Sequence, residues 1–166
     1  GHGPITRHAI YVLENIDAVQ PANPNTYYPS LAVEVARCAW VSLTRLQARG
    51  RSVSLAGSNV LVDECHIESL DGYSGLSFRP SGGPGIGVQQ CSLAVSATYV
   101  RGASWIAGTA ACGSPALAVA DSSVGLTGDV SLLGGSARMP CTTPGIAWTG
   151  AGSLVIDPAT RIMAAS

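Results

Sequence analysis

Five short stretches alternate apolar with small residues: Leu31-Ala32-Val33, Val53-Ser54-Leu55, Leu76-Ser77-Phe78, Leu117-Ala118-Val119 and Ile146-Ala147-Trp148. A turn or small residue stands ahead of each. A period of two predicts half-buried strands whose outer members face a core. A second spelling, apolar-x-x-apolar-x-apolar, recurs at Leu13-Ile16-Ala18, Leu43-Leu46-Ala48, Val62-Cys65-Ile67 and Val88-Cys91-Leu93. Longer copies read Leu126-Val130-Leu132 and Ile156-Ala159-Ile162. The gaps hold polar pairs such as Thr44-Arg45, Asp63-Glu64 and Gln89-Gln90, as a sharp corner between two short strands requires.

One unit is therefore strand, turn, strand, two-residue corner, strand, loop. Its starts at Leu31, Val53, Leu76, Leu117 and Ile146 lie 22, 23, 41 and 29 residues apart. A period in the low twenties with insertions at one vertex indicates a solenoid, in which each coil buries its apolar face against the next. A β-sandwich also spaces its strands regularly, but gives no reason for repeated copies of one corner. The corner spelling and the coil "PALAV…GLTGDVSLLGG" resemble right-handed parallel β-helix repeats of the pectate-lyase-like superfamily. The fold so implied is all-β: a right-handed parallel β-helix of about five to six coils, with no major helix. As a single domain it would span residues 1–166. Function is not implied with it, because that superfamily holds lyases, hydrolases, tailspikes, adhesins and spacers alike.

Composition narrows the partners. Only 11% of residues are charged, net charge is −1, and all nine basic residues are scattered arginines, which argues against a nucleic-acid surface. The longest apolar runs fall well short of a membrane span. Residues 1–8 read as a tag remnant or an incomplete coil, and neither end shows a capping helix. The chain is thus expected to be a segment of a longer protein, or to have its coil ends covered by another chain.

Candidate chemistry is sparse. In pectate lyases and related hydrolases, sugar lies along the outer face of the first strand. Here that column is expected to read Ala32, Ser54, Ser77, Ala118 and Ala147, followed by Glu34, Ala56, Arg79, Ala120 and Thr149. One Glu and one Arg supply neither a pair of carboxylates nor a Ca²⁺-assisted base. No catalytic residue, metal or cofactor is expected. Asp63, Glu64, His66, Glu68 and Asp71 form the one acidic cluster with a histidine; Asp63, Glu64 and His66 are its candidate acid-base or cation site, although a polar corner explains Asp63 and Glu64. Arg45 is expected to pair with Glu64 across coils, and His66 to lie outward in a column with Asp17, Gln47, Ser92 and Ser131. Tyr27, Tyr28, Tyr99 and Trp105 are candidate sugar-stacking residues on loops, where aromatics also serve to pin a loop to the body.

The five cysteines divide by position. Cys65 and Cys91 are expected to stack, reduced, in one inward column, and Cys38 to be unpaired. Cys112 and Cys141 each lie five residues before an inward strand residue, Leu117 or Ile146, and so are expected to form a disulfide between adjacent coils. A disulfide implies an oxidising compartment and hence export or the cell surface. The leading expectation is a non-enzymatic extracellular module with a structural, adhesive or carbohydrate-contacting role. Its partner would be a polysaccharide, or a protein chain packed on the Ala/Ser face or at the coil ends. The alternative is a polysaccharide lyase or glycoside hydrolase, or an inactive fragment of one.

Overall fold

The computed structural model describes residues 10–14, 16–19, 32–50, 52–70, 72–73, 83–107, 112–136 and 141–165. Every regular element among them is a strand, and the strands form a parallel β-solenoid with three faces. The first sheet stacks β3 (Val33–Ala36), β6 (Val53–Ala56), β10 (Ile86–Gln89), β14 (Leu117–Ala120) and β17 (Ile146–Thr149). The second stacks β1 (Ile10–Glu14), β4 (Trp40–Thr44), β7 (Asn59–Asp63), β11 (Ser92–Ser96), β15 (Ser123–Thr127) and β18 (Ser153–Ile156). The third stacks β2 (Asp17–Val19), β5 (Gln47–Gly50), β8 (His66–Ser69), β12 (Tyr99–Arg101), β16 (Ser131–Leu133) and β19 (Arg161–Met163). A small extra pair, β9 (Gly72–Tyr73) with β13 (Trp105–Ala107), leaves the third face.

The chain comes back to one column of the first sheet at Val33, Val53, Ile86, Leu117 and Ile146. Those returns make about four turns, with partial coils beyond, slightly fewer than expected. Two expected registers are corrected. Val33, not Leu31, pairs with Val53. Ile86, not Leu76, starts the third coil of this sheet; Leu76, Ser77 and Arg79 lie outside the described residues. The first start moves by two residues and the second by ten, both even numbers that preserve strand alternation, so periodicity could not detect either error. Gly85 marks the true start: a Cβ there would lie 2.5 Å from Val100 Cγ1 and 2.8 Å from the Arg101 carbonyl oxygen.

Inward residues from all three sheets fill the solenoid with Val, Leu and Ile. Leu43, Leu55, Ile67, Ile86, Leu117, Leu126 and Leu132 are fully buried. Each such side chain contributes about 1.5–3 kcal/mol by leaving water. Insertions enter where the third sheet leads back to the first, whereas the other two vertices keep nearly constant length.

Those two vertices share one device. At each, a single residue takes left-handed φ, between 44° and 76°: Arg37, Gly57, Gln90, Asp121 and Gly150 at the first, and Arg45, Glu64, Ala97 and Gly128 at the second. At six of these nine bends the next residue is a Cys, Ser or Thr: Cys38, Ser58, Cys91 and Ser122 at the first vertex, and Cys65 and Thr98 at the second. Ser58 Oγ donates to the Ala56 carbonyl (2.9 Å) and accepts from the Cys38 amide (2.8 Å). Ser122 Oγ donates to Ala120 (2.7 Å) and accepts from Cys91 N–H (3.0 Å). Thr98 Oγ1 does the same for Ser96 (2.6 Å) and Cys65 (3.1 Å). The buried thiols of Cys91 and Cys65 take part too, each donating to a carbonyl two residues back at 3.2 Å. Backbone groups freed at these bends are thus satisfied inside the coil, at roughly 1 kcal/mol net per bond.

This arrangement corrects the expected thiol stack. Cys65 sits at the second vertex beside Leu46 and Thr98, while Cys91 sits at the first between Ser58 and Ser122. Both are free and buried, as expected, and Cys38 is also free. Cys112 and Cys141 form a disulfide with Cα atoms 5.6 Å apart.

Candidate functional site

The outer face of the first sheet carries little chemistry. Its two outward columns read Glu34, Ser54, Gly87, Ala118, Ala147 and Ala36, Ala56, Gln89, Ala120, Thr149. Gly87 and Gln89 take the places expected for Ser77 and Arg79. A shallow hollow of about 330 Å³ lies over this face, floored mainly by Ser54, Gly87, Ala118 and Ala120. Apart from Glu34 at one end, its described strand residues offer no carboxylate. Among the described strand residues, this face does not hold the paired acids of glycoside hydrolysis.

The third sheet is different. Its strands bring Gln47, His66, Tyr99, Ser131 and Arg161 into one outward column, and Arg49, Glu68, Arg101 and Leu133 into the next. Tyr99 therefore occupies the place expected for Ser92, which lies on the second sheet. The consequence is a stack: the His66 and Tyr99 rings lie nearly parallel, at 21°, with centroids 4.8 Å apart. That spacing equals the strand separation, so the sheet itself sets the two rings face to face.

Polar groups frame the stack. His66 Nε2 lies 3.4 Å from Glu68 Oε1 two residues along the same strand. Arg101, beside Glu68 on the neighbouring coil, donates from Nη2 to Ser104 Oγ at 3.1 Å. Partial burial pushes the Tyr99 phenol above its ordinary value; Glu68 adds to the rise and Arg101 opposes it. His66 is exposed and Tyr99 half-buried. The result is a small shelf, aromatic in the middle and bordered by a carboxylate and a guanidinium.

The expected acidic cluster does not assemble. Asp63 accepts a short hydrogen bond from Ser96 Oγ. Glu64 turns to Arg45, with Oε2 3.8 Å from Nη1, and Arg45 also contacts Glu14. His66 turns the other way, to Glu68 and Tyr99. Among the described residues, no three His, Cys, Asp or Glu side chains are placed to hold a metal. Nor is any helix among them long and apolar enough to cross a membrane. Tyr27 and Tyr28 lie outside the described residues, and Trp105 is placed on β13 by its backbone.

The sequence offers Glu68 only as a member of the acidic cluster, and Arg101 not at all. A signal for them existed: each is two residues beyond an outward ring, on strands spelled alike, His66-Ile67-Glu68 and Tyr99-Val100-Arg101. No family model, curated protein or solved structure compared with the chain gives a match.

Proposed function

We propose that the chain is a non-enzymatic β-solenoid module, exported or displayed at a cell surface, that contacts saccharide through the third-sheet shelf. The observation that carries this reading is the outward His66–Tyr99 stack, its His66 exposed and its Tyr99 half-buried, with Glu68 and Arg101 at its border. A flat ring suits the apolar face of a pyranose, while the carboxylate and guanidinium suit its hydroxyls. The Cys112–Cys141 disulfide supports an oxidising compartment. The small-residue face of the first sheet supports a role without bond cleavage.

Affinity electrophoresis through gels of neutral and acidic polysaccharides, with and without Ca²⁺, tests this. At least one polymer should retard the native protein. Tyr99→Ala should weaken retention by roughly tenfold, and Ser92→Ala, on the second sheet, should not. Equal retention of native protein and Tyr99→Ala, or retention by none, would sink the saccharide reading. Release of new chain ends from any polymer would instead favour a lyase or hydrolase.

A further inference from the structure

Large apolar residues that are exposed occur, among the described residues, only near the two ends of the stack: Tyr11, Val12, Ile16 and Trp40 at one, and residues of β18 and β19 at the other. At each end the outermost strands of the second and third sheets, β1 and β2 or β18 and β19, have among the described residues a neighbour on one side only. Because every ladder between named strands is parallel, the isolated Thr143–Ala165 bridge apart, the free edge of β18 is the complement of the free edge of β1, in the same sense and register as the pairs inside the molecule. The end columns match as well. Following the ladder from coil to coil, Leu154 is in the inward column headed by Tyr11, and Ile156 in that headed by Leu13.

The outward column between them is the more telling one. It runs Val12, Ser42, Leu61, Ala94, Gly125, Val155. Its first and last members are the most exposed large hydrophobics, at 62% for Val12 and 66% for Val155. An unrelated partner has no reason to match one column at both ends. A second copy of the same chain matches both, because one copy presents Val155 where the next presents Val12.

We infer that copies of this chain associate head to tail, β18 and β19 of one copy pairing in parallel with β1 and β2 of the next. Such a contact is heterologous and runs along the solenoid axis, so it propagates into an open series of oligomers instead of closing as a dimer. It is independent of the saccharide reading.

Sedimentation velocity in non-reducing buffer across a wide concentration range tests it. The native protein should form a ladder of species growing with concentration. Val155→Glu should weaken association at least about tenfold with an unchanged far-ultraviolet spectrum, since the side chain is exposed. Adding Val12→Lys to the same chain should restore association by placing Lys against Glu at each junction. Val155→Ser provides a milder second variant. A native protein that stays monomeric, a discrete two-fold dimer, or growth unaffected by Val155→Glu and Val155→Ser would each overturn the inference.

Discussion

Removing the Cys112–Cys141 disulfide should loosen the end of the solenoid. The two cysteines are 29 residues apart, and the segment between them is one complete coil, β14 through β16. Closing a loop of that length in the unfolded chain corresponds to about 3.5 kcal/mol of lost entropy. The bond also ties the insertion before β17 to the one before β14. That matters because, among the described residues, β17, β18 and β19 have a strand neighbour on one side only and keep their residues half-buried or exposed. The double variant Cys112→Ser/Cys141→Ser removes the link without leaving a free thiol. Urea unfolding should show a loss of about 3–4 kcal/mol, and the thermal midpoint should fall by roughly 7–14 °C for a chain of this size. Hydrogen exchange should rise first in residues 146–163, since coil stability in a repeat array depends on nearest neighbours. A loss below about 1 kcal/mol, with unchanged exchange in β17–β19, would contradict the tether as the anchor of that coil.

Three further outcomes follow from the vertices. Gly57→Ala should cost about 1 kcal/mol, read by urea unfolding, because φ is +57° while the nearest atom to the new Cβ is 3.8 Å away; the cost is one of conformation, not of space. Thr98→Val should cost about 1–3 kcal/mol by stranding the Cys65 amide, while the Ser96 carbonyl keeps the Glu64 amide at 3.2 Å, and Thr98→Ser should restore most of it in the same assay. Burial pushes the Cys65 thiol above its ordinary value of 9.0, so the unfolded chain ionises first and stability should fall as pH rises above that value. Stability measured through the alkaline range should lose part of that slope in Cys65→Ser.

Much of the solenoid can be read in the sequence because its core columns are apolar and its corners short. Val53, Leu117 and Ile146 begin first-sheet strands as their alternation implies. The corner spelling misled at Cys91 for a physical reason. Both vertices use the same device, so Val88-Cys91-Leu93 and Val62-Cys65-Ile67 look alike although they bend different edges of the prism. Allowing Ser or Thr at the middle position recovers Leu55-Ser58-Val60, Val95-Thr98-Val100 and Val119-Ser122-Val124, and shows two corners per coil. A buried hydroxyl in a hydrogen-bonded ladder is chemically equivalent to a buried thiol there, but an apolar pattern excludes it. The same error hid the His66–Tyr99 stack, since Ser92 was assigned the place of Tyr99.

Two vertices of nearly constant length and one that accepts long insertions give the protein a division of labour. Strands and tight bends determine where each coil lies, and neither depends on what is inserted between β8 and β10, β12 and β14, or β16 and β17. Residues at that third edge can therefore be lengthened, shortened or exchanged while every ladder keeps its register. Selection, or a designer, could diversify that one rim coil by coil, as loops are varied on an antibody framework, and leave the frame untouched.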